Sequence, residues 1–324
     1  MTHKIQKHKG FTLIEMVFVM TILGIVAAIS SEIIAKGYIT YINQKALYKA
    51  SINTELAAIQ IANRLTYAIP RSIVARDDGN NTLALRGIED LPPKNTFTTL
   101  QWIGYDREGF ITRSAGSETA IHRRPGWSGF IDLSATTRTD ISHLESNINL
   151  SSPASNLILS KHIISTLSKK GTQRSLIKSA IYMPIDALLI YNSTHHYYNH
   201  VGSPGIYSIA AIPDNQTIQI NAPAKIKIKE QYQIAWSAYA IVPTIPNEQG
   251  EFDLVLHYNF QPWQGEVYNG KIAQTSTLIK NVTVFRFTGS VNSIRFKLCQ
   301  HVRTGGSDIT ATFISVCKEK VVLK

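Results

Sequence analysis

The hydrophobic pattern divides the chain into one long helix followed by a β-rich remainder. Phe11 to Ile29 is a run of 19 residues whose only charge is Glu15. As a helix it is roughly 28 Å long, close to the hydrocarbon thickness of a bilayer. After Ser30-Ser31-Glu32 the periodicity stays helical. Ile52, Leu56, Ile59, Ala62, Leu65 and Ile69 recur at steps of three and four, with Asn53, Gln60, Asn63 and Arg64 between them. They read as one apolar stripe, the packing face of an ordinary core helix. Pro70 is the first proline in the chain and a credible stop. The pattern therefore predicts a single helix from about Thr12 to Ile69, roughly 85 Å long. Gly24 and Gly37 are its only weak points, and any local melting would have to start there.

Beyond Pro70 the segments shorten. Ala75 to Thr99, with Asp77-Asp78-Gly79-Asn80-Asn81 and Pro92-Pro93, reads as turns with short strands. Residues 131–184 are ambiguous, and Asn156 to Leu167 suits a strand or a short helix. From Asp186 onward the β signal is clear. Ala187 to Tyr191 and Ile206 to Ala210 are compact apolar runs. Lys225 to Lys229 and Ile294 to Leu298 alternate strictly, with basic residues on one face. Ile234 to Val242, Phe252 to Phe260 and Val282 to Phe287 complete an antiparallel sheet with one face buried. The expected fold class is α+β, a long N-terminal helix packed on a mainly antiparallel β-sheet head. The expected domains are a leader over 1–10, a transmembrane half-helix over 11–30, an amphipathic half over 31–70 and a head over 71–324.

Charge gives the arrangement a direction. The formal net charge is +11, and the three lysines of the first ten residues, Lys4, Lys7 and Lys9, account for three of it. A basic segment before the apolar run, with no matching cluster straight after it, places the leader in the cytoplasm and the head outside the inner membrane. The basic balance favours encounters with anionic partners such as nucleic acid or acidic lipid. Cys299 and Cys317 are the only cysteines. A bridge across 18 positions is worth about 3 kcal/mol in the chain-entropy model. It needs an oxidising compartment, and the space outside the inner membrane is one.

Glu15 is the residue that an ordinary signal peptide or a plain anchor leaves unexplained. A signal peptide would use the small residues around Ala27-Ala28-Ile29-Ser30. Neither accounts for a carboxylate in lipid, which costs on the order of 2.5 to 3.5 kcal/mol by insertion scales. The run Lys9-Gly10-Phe11-Thr12-Leu13-Ile14-Glu15 resembles the class III signal of type IV pilins and of type II secretion pseudopilins. The resemblance implies a cut between Gly10 and Phe11 by a prepilin peptidase, then methylation of the new amine at Phe11. Glycine suits the junction because it has no side chain. Glu15 lies four residues after Phe11, on the same helix face. The resemblance implies that it pairs with that amine, in its own chain or a neighbour's, and sets the register of assembly. The helix of many major pilins carries a kinking proline after the membrane segment, and this chain has none there.

Two further segments resemble PilW- and PulJ-type minor pilins. One is Ala62 to Pro70 at the end of the helix. The other is the tail that runs Tyr232–Val242, Phe252–Phe260, Leu278–Phe287 and then a strand pair bearing the cysteines. These imply a minor pilin or minor pseudopilin that initiates or caps a filament. Its partners would be the peptidase, sister pilins or pseudopilins, the inner-membrane assembly platform and membrane lipid. It would end at a filament tip, for which a large head is suited. A tip adhesin or a DNA-binding pilin of an uptake system is the alternative.

Other chemistry is weakly signalled. No nucleophile elbow, P-loop, dinucleotide fingerprint or paired-carboxylate motif occurs, so no enzyme and no cofactor is expected. His195, His196 and His200 sit among aromatics without a ligand spacing, and read as a solvated loop rather than a metal site. Lys225, Lys227, Lys229, Arg295 and Lys297 read as a charged sheet edge that discourages aggregation rather than as a nucleic-acid surface.

Overall fold

Leu13–Thr66 forms one continuous α-helix, α1, in the computed structural model. The structure describes residues 10, 12–77, 85–92, 97–113, 124–140, 145–168, 172–184, 205–223, 226, 228–290, 292–304 and 312–324. The helix passes unbroken through Gly24 and Gly37. Threonine hydroxyls along it bond back to the carbonyls of the preceding turn. Thr21 Oγ1 donates to the carbonyls of Val17 (3.0 Å) and Phe18 (2.9 Å), and Thr40 Oγ1 to that of Lys36 (2.8 Å). The helix ends three residues before the predicted Ile69. Ala68 bridges to Gly104, and the Ile69 N–H donates to the Ile103 carbonyl at 2.8 Å. A residue before proline is pushed out of helical geometry, and the chain uses that stretch to join a sheet. Lys324 Nζ donates to the carbonyls of Leu65 and Ala68 at the helix's negative end, and burial lowers its amine to about 7.

The chain divides into two compact units, Met1–Ile52 with Val302–Val316, and Asn53–His301 with Cys317–Lys324. In the first, every described residue from Leu13 to Ile42 is exposed. The second carries the cores. Its helices after α1 are α2 (Arg107–Ile111) and α3 (Leu157–Leu167). The strands run β1 (Val74–Arg76), β2 (Leu85–Gly87), β3 (Thr99–Gly104), β4 (Asp132–Asp140), β5 (Glu145–Ser151), β6 (Ala180–Tyr182) and β7 (Ile206–Ala211). They continue with β8 (Thr217–Pro223), β9 (Gln233–Ala235), β10 (Ser237–Pro243), β11 (Phe252–Phe260), β12 (Gln274–Ser290), β13 (Ser293–Thr304) and β14 (Thr312–Leu323).

The α+β organisation is the expected one, but among the described residues the strands form two sheets instead of one. The eight-stranded sheet has the order β14-β13-β12-β11-β10-β3-β1-β2, and the six-stranded sheet β4-β5-β8-β7-β6-β9. The single strand predicted over Ile234 to Val242 is cut at Trp236, with β9 in one sheet and β10 in the other. At the cut, the Trp236 carbonyl accepts from Gln261 Nε2 (2.9 Å) instead of from a strand neighbour. Apolar alternation cannot show such a crossing, because both halves are buried. β11 occupies the predicted span, and β13 buries Ile294, Phe296 and Leu298 while exposing Arg295 and Lys297. In β12, Asn281 takes a left-handed φ of 56° between the Leu254–Ile279 and Phe252–Val282 pairs, where the register shifts. Asparagine tolerates that conformation better than most residues.

The ambiguous Asn156–Leu167 stretch is helix α3. Asn156 caps it by accepting from the Leu159 N–H at 3.2 Å, a stop-start signal that decides for a helix. The strand predicted over Ala187 to Tyr191 lies outside the described residues.

The apolar stripe of α1 is corrected by the structure. Ile61 and Leu65 are fully buried, but Ile52, Leu56 and Ile59 are 39%, 53% and 39% exposed. The face that packs is Thr54, Ala57, Ala58, Ile61, Leu65 and Ala68, against Leu100 and Trp102 of β3, Leu254 of β11 and Phe285 of β12. The reason is geometric. Five helical turns take about 18 residues, whereas the row from Ile52 to Ile69 spans about 17, so its two ends point about 100° apart. Two alanines mark the true face, where the helix approaches the sheet closely. The second core joins Trp127, Ile131, Leu157 and Ile164 to Ile148, Leu150, Ile218 and Ile220 of β5 and β8.

A buried ion pair holds the segment after α3 to the end of β11. Arg174 Nη2 meets Glu266 Oε2 at 2.6 Å, and its Nε donates to Asn259 Oδ1 at 3.0 Å. Arg174 is 8% exposed, so its charge is neutralised in place and its donors are spent.

Candidate functional site

The start of α1 is built from backbone. The Thr12 carbonyl accepts from the N–H groups of Glu15 (3.1 Å) and Met16 (3.2 Å), which closes the first turn. Glu15 is the acidic residue of that turn and is exposed. A carboxylate there meets the positive end of the helix dipole. Gly10 is exposed, and a Cβ built on it would meet no atom within 4 Å, so the backbone at Gly10 is open. Phe11 lies outside the described residues, as do Lys4, Lys7 and Lys9. Among the described residues α1 is the one helix long and apolar enough to cross a membrane, and its most apolar window is wholly unburied. Just past that segment Lys36 pairs with Glu32 at 2.6 Å across one turn.

In the head, Cys299 on β13 and Cys317 on β14 are joined by a disulfide, with their Cα atoms 4.1 Å apart on neighbouring strands. The expected bridge is therefore in place. Next to it, Lys318 and Lys320 of β14 meet Glu55 of α1 at 3.5 and 2.5 Å. The hydrogen bond from Lys320 is the main reason that the Glu55 carboxyl lies below the usual carboxylate range.

The charged-edge reading changes. β13 lies between β12 and β14, so Arg295 and Lys297 are on an interior strand, and Arg295 is paired with Glu319. Ile226, Ile228 and Lys229 are in no strand, and Lys225 and Lys227 lie outside the described residues. His195, His196 and His200 lie outside them too.

A cleft that the sequence did not flag opens in the head, with a volume of about 470 Å³. Tyr105, Phe110, Trp127, Tyr182 and Tyr232 line it. Trp127 is the hub, with ring centroids 4.8 Å from Phe110, 5.6 Å from Tyr232 and 6.4 Å from Tyr105. Three of these rings are fixed by polar tethers. Trp127 Nε1 donates to the Asp106 carbonyl (3.0 Å) and to Oδ2 of its carboxylate (3.2 Å). Tyr182 Oη donates to the Pro70 carbonyl at 2.9 Å, and Tyr232 Oη is 2.6 Å from Ser152 Oγ. Burial pushes the Asp106 carboxyl up to about 6 against the pull of the Gly109 N–H it accepts from, and burial raises the Tyr232 hydroxyl. These aromatics are scattered over more than a hundred residues, and no local spacing could have grouped them.

Residues 5–31 match the family model described as the prokaryotic N-terminal methylation motif. Comparison with curated proteins and with solved structures gives no match for the chain. The matched segment contains the Gly10-Phe11 junction, Glu15 and the apolar start of α1. The chain thus carries a class III prepilin signal. The motif supports a type IV pilin-like or pseudopilin-like protein, and α1 is compatible with a single-pass membrane anchor.

Proposed function

We propose that this chain is a minor pilin or minor pseudopilin of the PilW or PulJ type, a structural subunit rather than an enzyme. It initiates or caps a type IV pilus or a type II secretion pseudopilus. A prepilin peptidase cuts between Gly10 and Phe11 and methylates the new amine. The head stands on the periplasmic side, and the subunit leaves the membrane with sister subunits through the inner-membrane assembly platform.

The observation that carries this reading is the placement of one carboxylate, Glu15, in the first turn of a helix whose following residues are apolar and exposed. In lipid an unpaired charge is strongly penalised. A terminal amine one turn away supplies the counter-charge, from the same chain or from a neighbour. The exposed Ile52, Leu56 and Ile59 support a second contact surface for sister helices, since large apolar side chains left in water are otherwise unfavourable. The head's size and its cross-strand disulfide suit a terminal subunit outside the cytoplasm.

The test is Glu15→Ala in cells. The expected outcome is normal cleavage and methylation with loss of the subunit from sheared filaments. Normal incorporation of the variant would refute the assigned role of Glu15.

A further inference from the structure

We propose that the aromatic cleft of the head binds a neutral sugar ring, a pyranose unit of a glycan. The inference goes beyond the filament role and stands on the head alone. The cleft's volume of about 470 Å³ lies within the range of small-ligand sites, about 300 to 1,000 Å³. Its walls are preformed, because Trp127, Tyr182 and Tyr232 are each held by the hydrogen bonds described above. A ligand therefore meets a surface that needs little ordering, which lowers the cost of binding.

The lining chemistry selects the class. Alongside the rings stand Gln231, Gln233 and Arg71. A carboxamide donates and accepts at once, which matches neighbouring hydroxyls. Gln233 Oε1 is buried and has no hydrogen-bond partner among the described residues. A buried acceptor without a donor is costly, and a ligand hydroxyl is a donor of the right kind. A wholly apolar ligand would leave these polar groups unmatched. Among the described residues no carboxylate lines the cleft, which argues against a cationic ligand. A nucleic-acid strand needs several phosphate contacts, and among the described residues Arg71 is the one cation in the lining. A sugar ring has what remains, apolar C–H faces for the aromatic walls and hydroxyls for the carboxamides. Phe110 is 40% exposed and Gln231 is exposed, so both are within reach of an incoming ligand.

The experiment is a tryptophan-fluorescence titration of the full chain in a detergent without a sugar headgroup. The probes are glucose, galactose, mannose and N-acetylglucosamine, with an aromatic tripeptide and a single-stranded oligonucleotide as competitors. The expected result is saturable binding of at least one sugar, weakened at least tenfold by both Phe110→Ala and Gln231→Ala. Leu56→Ala, on the far face of α1, leaves the affinity unchanged. Near-ultraviolet circular dichroism checks that each variant is folded, and Gln231→Glu serves as a second variant at the rim if Phe110→Ala is not. Binding of no sugar, binding that both variants leave intact, or saturation by the peptide or oligonucleotide alone overturns the proposal. None of these outcomes touches the cleavage at Gly10-Phe11, which is read separately.

Discussion

The two apolar rows of α1 give the sharpest test of how the helix is seated. Ile61 is fully buried against the eight-stranded sheet, whereas Leu56 is 53% exposed. Truncating a buried isoleucine to alanine loses its transfer free energy and leaves a cavity, at a cost of about 2 to 5 kcal/mol. The tight surroundings of Ile61, with Ala57 and Ala58 beside it and Trp102 in the same core, give little room for collapse, so the upper half of that range applies. For Leu56→Ala the side chain is already half in water, and alanine is the better helix former by a few tenths of a kcal/mol. The net cost is below about 1 kcal/mol. The assay is urea unfolding followed by the fluorescence of the four tryptophans, which all lie in the head. At a slope of about 2 kcal/mol per molar urea, Ile61→Ala lowers the midpoint by about 1.8 to 2.5 M, and Leu56→Ala by less than about 0.5 M. Equal shifts, or a larger one for Leu56→Ala, would refute the seating of the helix.

Two further outcomes follow from the head. Glu266→Ala strands the buried Arg174 guanidinium and costs about 3 to 5 kcal/mol, while Glu266→Gln, which keeps an acceptor, costs less; thermal melting of both variants checks the order. Asp106 is held near 6 by burial, above an unfolded value of about 3.9. Between pH 4 and 6 the unfolded chain releases a proton that the folded chain keeps, so stability falls as pH rises through that window and is level above it. The loss is roughly 3 kcal/mol. Asp106→Asn does not titrate, so denaturation of both proteins at pH 4, 5, 6 and 7 separates them by slope. Identical slopes would show that Asp106 does not titrate in this window.

The parts of the fold that could be read along the chain are those governed by local period. The long helix, the Phe252–Phe260 strand and the alternation of Ile294 to Leu298 are local signals, and each element lies where the pattern puts it to within three residues, although the helix's packing face does not. What the pattern missed is set by contacts between distant segments. Trp236 looks like the middle of a strand, because a residue passing between two buried sheets is as apolar as one within a sheet. Ala57 and Ala58 carry little weight in a hydrophobic pattern, yet they define the face that packs. β3, fully buried inside the eight-stranded sheet, has no alternation to mark it. At the N-terminus the opposite holds. Gly10, Phe11 and Glu15 lie within six consecutive residues of the matched motif, so the sequence displays them directly, whereas the cleft's aromatics meet only through the tertiary fold.

The most direct measurement is the intact mass and N-terminal sequence of the mature protein recovered from membranes. A chain that starts at Phe11 and carries one methyl group on its amine is the predicted result. A chain that retains its leader, or one cut near Ala28 as an ordinary signal peptide would be, contradicts the account.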